Sequence, residues 1–276
     1  MSGFIILEGE APTFGLDAFN SRPMVPSSLW LESGGEQYTW TDIWFTNHIV
    51  QAIIATAVVI GLWLILSHKP KVVPSKRQWS GEYLYNVVRN GIARDILGEH
   101  YLKYVPWLLT LFTFILVNNL FGEFFVFMFP TFSKIGFAWG LAILSWVLYN
   151  AVGIKNHGFI GYFKKMTIPA GVPKPLLILI IPLEFLANFI TRPITLTLRL
   201  FANLFAGHLL VLIFVAGGSW LLTYTKDNFV YNVAGGVTLL VSFGVFALEL
   251  FIGFLQAYIF TILTTQYVAS AHAEQH

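Results

Sequence analysis

Cysteine is missing from this 276-residue chain. That absence excludes disulfides, thiolate-bound metals and thiol nucleophiles. Charge is nearly as scarce. Asp, Glu, Lys and Arg make up 11% of the residues, where a soluble domain carries about 25%. With 56% hydrophobic and 17% aromatic residues, the deficit excludes an ordinary soluble enzyme and points to an integral membrane protein. Acids are rarest in the C-terminal part: after His100 only Glu123, Glu184, Asp227, Glu249 and Glu274 remain. The N-terminus lacks the basic stretch that opens a cleavable signal, so residues 1–42 read as a soluble acidic tail. There is no internal repeat and no low-complexity run.

What the chain does have is apolar length. A helix of about 20 residues at 1.5 Å each crosses the hydrocarbon core of a bilayer. Five stretches qualify, over 43–68, 104–129, 135–154, 176–222 and 231–268. Residues 80–103 differ, because Leu84, Val87, Val88 and Ile92 recur at helical spacing while Arg89, Arg94, Asp95 and Glu99 take other faces. That pattern predicts a helix lying on the membrane surface. The basic loops, Lys69 to Arg77 and Lys155 to Lys174, then fall on the cytoplasmic side, with the acidic tail outside and the C-terminus inside. The predicted fold is an all-α integral membrane protein: a tail over 1–42 and a single membrane domain over 43–276. It has about five transmembrane helices and one cytoplasmic-surface amphipathic helix. The last two spans are long, tilted and paired as an antiparallel hairpin. Upright, the fourth would measure about 70 Å, so it must tilt or bend, with Pro182 and Pro193 as the bending points.

Polar residues concentrate where the membrane should forbid them. The stretch from Glu184 to His208, EFLANFITRPITLTLRLFANLFAGH, is overwhelmingly apolar yet carries Glu184, Asn188, Arg192, Arg199, Asn203 and His208. A charge at the bilayer centre costs at least ~2.5–3.5 kcal/mol, so each such residue is a functional candidate. At about 100° per residue Asn188, Arg192, Thr195, Arg199 and Asn203 form one stripe, and His208 lies on the opposite face. From Asn228 to Ala273 the only formal charge is Glu249, with Ser242 seven residues before it and Gln256 seven after, all near one helix face. In an antiparallel hairpin, residues at equal depth have numbers symmetric about the turn. Pairing Arg199 with Gln256, and His208 with Glu249, puts both centres on Asp227-Asn228-Phe229. A buried His–Glu pair can hand on a proton, because burial and a neighbouring charge pull on the carboxyl in opposite senses. Arg199 cannot, since a guanidinium keeps its proton. Asn119 and Glu123 in the second span are weaker members of the same set.

Two other classes compete. A secondary transporter with a midplane site usually shows inverted repeats, which are missing here. An intramembrane enzyme could use Ser219 in Gly217-Gly218-Ser219, but no His is placed to activate it, and the triplet reads as turn chemistry near a helix end.

The stretch TRPITLTLRLFANLFAGHLL, continued through QAYIFTILTTQY and more loosely NNLFG, resembles subunit a of the F-type rotary ATP synthases over roughly residues 40–270. The resemblance implies a non-catalytic proton-channel stator subunit. In it the essential arginine matches Arg199 and the last-helix glutamine matches Gln256, while Asn203 and Glu184 match polar channel positions. His208 and Glu249 carry a His/Glu pair that some members hold in the opposite order. Asn119 matches an outer-channel position, and Gly122 stands where some members have Asp, leaving either Glu123 or no residue to supply an acid there. It further implies two offset half-channels that load and unload a carboxylate on a rotating c-subunit ring, with Arg199 blocking a direct leak. The implied partners are that ring, peripheral-stalk b-type subunits, the rest of the synthase and the bilayer, with no cofactor, no metal and no nucleic acid. The implied location is an energy-transducing membrane, a bacterial plasma membrane ahead of an organellar inner membrane.

Overall fold

The protein is described by a computed structural model covering residues 47–67, 71–123, 131–168, 173–224 and 229–273. The acidic tail, the turn after Tyr224 and the end of the second predicted span lie outside the described residues. Among the described residues every regular element is helical. The elements are α1 (Asn47–Leu66), α2 (Lys76–Val88), α3 (Tyr101–Glu123), α4 (Ile135–His157), α5 (Phe159–Thr167), α6 (Lys174–Phe185), α7 (Arg192–Tyr224) and α8 (Phe229–His272). Five continuous helical stretches are long and apolar enough to cross a membrane: 48–66, 76–123, 135–157, 175–223 and 229–272.

Helix ends run past the apolar stretches that predict them. α4 continues through Lys155 to His157 and stops at Gly158, whose φ of 71° suits only glycine and whose N–H bonds to the Ile154 carbonyl at 2.9 Å. α8 likewise continues to His272. In α4 the cationic Lys155 of the last turn opposes the negative end of the helix dipole, so that helix survives where apolar character has ended. At the other end of the surface segment, α2 is opened by Ser75, whose hydroxyl accepts the Gln78 N–H at 3.4 Å. A π-helical stretch, Arg89–Arg94, and one further helical turn carry it into α3.

The fourth predicted span is interrupted between its two prolines. A π-helical stretch, Leu186–Thr191, joins α6 to α7. Pro193 has no N–H, so the carbonyls of Phe189 and Asn188, four and five residues earlier, receive nothing from it. α4 supplies donors instead: Trp146 Nε1–H reaches the Phe189 carbonyl at 3.1 Å, and the Tyr149 hydroxyl reaches that of Asn188 at 3.4 Å. In a bilayer no water would do this.

The described residues form two compact units. The first gathers residues up to 56, 118–133 and 202–254; the second gathers 57–117, 134–201 and residues from 255 onward. In the first, α7 and α8 pack backbone to backbone. A Cβ on Gly218 would meet the Gly235 carbonyl at 3.1 Å, and one on Gly235 would meet the Gly218 carbonyl at 3.0 Å. These two glycines establish the antiparallel hairpin predicted for the last two helices. Ser219 lies inside α7, not in a turn, and its hydroxyl donates to the Ala216 carbonyl at 2.9 Å, which removes the Gly-Gly-Ser turn reading. In the second unit Phe112, Tyr149, Tyr162, Leu196 and Leu200 are fully buried.

Candidate functional site

In the first unit three titratable side chains from three helices meet. His208 on α7 places Nδ1 3.5 Å from a carboxylate oxygen of Glu123, at the end of α3, and 3.9 Å from one of Glu249, on α8. All three side chains are largely shielded, at 13%, 5% and 7% exposure. The hairpin register therefore brings His208 and Glu249 together as predicted, and Glu123, a weaker candidate in the sequence, joins them directly.

The imidazole is oriented by backbone. Its Nε2 lies 3.0 Å from the Gly122 carbonyl, which can only accept, so Nε2 carries a proton and donates it there. Nδ1 is left facing the two carboxyls, and it forms no hydrogen bond among the described residues. This is the nitrogen that can take up or release a proton. Gly122 thus contributes through its carbonyl.

Gly207, next to His208, is part of the same construction. A Cβ there would collide with Glu249 Oε1 and would stand 3.0 Å from its Cδ and 3.2 Å from its Cγ. Only a glycine leaves room for the Glu249 carboxyl against α7. Asn119, one helical turn before Glu123, donates through Nδ2 to the Gly253 carbonyl at 2.8 Å, tying α3 to α8 beside the cluster. Ser242 is buried, with its hydroxyl donating to the Leu239 carbonyl at 2.6 Å, so it acts within its own helix. Asn203 is exposed, on the same helix as His208. The same unit buries His48 and Gln51 on α1, each at 2% exposure. The sequence reading passed over both. Counting polar as well as charged residues in the first span would have found them.

The second unit holds a separate polar group. Asn188 Nδ2 donates to the Met166 carbonyl at 2.8 Å and to the Glu184 carboxylate at 3.0 Å, pairing the two side chains. Arg192 lies over the Tyr267 ring at 4.8 Å from the centroid, with Nη1 3.5 Å from the Ser270 hydroxyl. Gln256 is buried at 2% exposure. Arg199 is half-buried, with exposed neighbours Thr195 and Leu198. Among the described residues its guanidinium makes no hydrogen bond and no ion pair.

The sequence matches known proteins over nearly the whole described region. A family described as ATP synthase A chain matches residues 49–269. The chain belongs to the ATP synthase A chain family. ATP synthase subunit a of a Nocardioides species is 47% identical over 231 residues, covering 84% of this chain and 83% of its own. Subunit a of Pseudarthrobacter chlorophenolicus is 40% identical over 238 residues, 84% of this chain and 87% of the relative. That of Streptomyces lividans is 36% identical over 266 residues, 96% and 89% respectively. The family places the chain in a membrane, in proton transport linked to ATP synthesis.

Proposed function

We propose that this chain is the stator of the synthase membrane sector, moving protons to and from a carboxylate on a rotating c-subunit ring without itself catalysing a reaction. The observation that carries this is Arg199. A guanidinium in a membrane-length helix costs at least ~2.5–3.5 kcal/mol unless it is compensated, and no ion pair compensates it among the described residues. A carboxylate on a partner helix is the natural counter-charge, and the exposed Thr195 and Leu198 leave Arg199 approachable.

Protons reach the ring through the Glu123–His208–Glu249 cluster on the outer side. With Nε2–H held by the Gly122 carbonyl, Nδ1 accepts a proton from one carboxyl and passes it to the other. Protons leave toward the cytoplasm past Glu184 and Asn188. Arg199 is the fixed charge that a loaded carboxylate must not face. It strips the returning proton and closes the short path between the two routes. Gln256, buried in the same unit as Arg199, is its polar companion, and Asn203 is a further polar residue of the route. A direct leak would waste ~2.3 kcal/mol per charge per 100 mV. Peripheral-stalk b-type subunits hold the chain against the ring. The N-terminal tail over 1–42 lies outside, the C-terminus lies in the cytoplasm, and the membrane is a bacterial plasma membrane.

The natural chain has no cysteine, so cross-linking gives a clean test. A cysteine replacing the exposed Asn203 forms a disulfide with a cysteine near the ring carboxylate, and one replacing the buried Leu204 does not. Absence of any ring cross-link from position 203 in an assembled complex overturns the stator reading.

A further inference from the structure

The proton-carrying cluster has a second chemistry. We propose that Glu123, His208 and Glu249 form a binding site for a divalent transition cation of the zinc class. One imidazole nitrogen and two carboxylate oxygens, each from a different side chain, lie within 4.8 Å of one another. Donors bound at about 2.1 Å to one zinc ion lie about 3.4 Å apart in a tetrahedral site and at most about 4.2 Å apart in any site. The His208–Glu123 separation, 3.5 Å, is already tetrahedral, and the His208–Glu249 separation, 3.9 Å, is already permitted. With those two separations kept, one ion holds the two carboxylate oxygens at most about 3.5 Å apart, so that pair closes by up to about 1.3 Å, which rotation of the Glu side chains supplies.

The histidine is prepared for this role. A metal-binding imidazole almost always gives its other N–H to a carbonyl or carboxylate, which sets the tautomer and aims the free lone pair. His208 does so through Nε2–H to the Gly122 carbonyl, and Nδ1 faces both carboxyls. Gly207 lets Glu249 approach from the other side. Donor type sets selectivity: an imidazole with two carboxylates suits zinc, cobalt, nickel or copper, whereas calcium and magnesium want all-oxygen shells. Binding follows from this geometry alone. That a bound cation also stops proton flow rests on the proton route proposed above, because the ion occupies all three groups of that route.

The test uses the assembled membrane sector, titrated with Co2+ as a spectroscopic probe and with Zn2+ as competitor. Passive proton conduction is measured in vesicles of the same preparation. One Co2+ should bind per copy of this chain with the intense visible bands of a low-coordinate site, displaced by Zn2+ but not by millimolar Mg2+ or Ca2+. Affinity should fall about tenfold or more in Glu249→Gln and in His208→Gln, with Glu123→Gln as the third variant should one of these not assemble. Bound Zn2+ should slow conduction in parallel with occupancy. Failure of Co2+ and Zn2+ to bind, or binding unchanged in all three variants, overturns the site and leaves the proton route intact. Binding that depends on the three residues but leaves conduction untouched keeps the site and overturns the route.

Discussion

His208 Nδ1 stands 3.9 Å from Glu249 Oε1, across the α7–α8 hairpin, with Glu123 closing the third side of the cluster. If the pair relays protons, Glu249→Gln should slow passive conduction through the assembled membrane sector by about tenfold or more. The exchange His208→Glu with Glu249→His should recover part of it relative to either single change. Normal conduction in both single variants would reduce the pair to packing.

Gly207 makes a sharper structural test, since it contributes no polar side chain. Gly207→Ala drives a methyl into the Glu249 carboxyl and should impair conduction although no titratable group is altered. Gly217→Ala is the control on the same helix. Nothing lies within 4 Å of a Cβ there, so it should leave conduction unchanged and gain up to about 1 kcal/mol of helix stability. Equal conduction in the two variants would show that Glu249 does not need its place against α7.

Some of this was legible in the sequence, and physical reasons separate it from the rest. The hairpin register could be read because His208 and Glu249 are rare polar residues symmetric about one turn, and the structure joins them. Glu123 stayed weak because nothing ties the depth of α3 to that turn; only packing reveals it. Gly207 carries no chemistry to read. His48 and Gln51 carry no formal charge in a largely apolar span, so it is their burial that marks them. Trp146 and Tyr149 carry no sign in the sequence of the carbonyls they serve, those that Pro193 leaves without its N–H, because only packing sets α4 beside them.

That last assignment predicts a coupling. Trp146→Phe removes the donor to the Phe189 carbonyl and should cost about 1–3 kcal/mol, seen as a lower inactivation temperature of the assembled complex. In a Pro193→Ala background the backbone N–H returns and the same substitution should cost clearly less. Equal costs in the two backgrounds would refute the compensation.

Sidedness follows from the basic loops. Lys164 is exposed on α5, whereas Lys165 donates to the Ser270 carbonyl at 3.2 Å and is a poorer probe. A cysteine at 164 should react with an impermeant reagent only from the cytoplasmic face, and one at the exposed Phe229 only from the outer face. Outer labelling at 164 would reverse the topology.

Arg199 carries the central claim, because a gate and a relay fail differently. A relay residue, once removed, stops proton flow. A gate, once removed, stops coupled rotation but leaves the passive path open. Lysine should not substitute, since its compact and deprotonatable ammonium does not hold a planar charge beside a carboxylate. The measurement is ATP synthesis and passive proton uptake in the same vesicles carrying Arg199→Ala, with assembly verified by recovery of the ring. The prediction is that ATP synthesis is lost while proton permeability is equal or raised. Robust ATP synthesis by the assembled variant would contradict it.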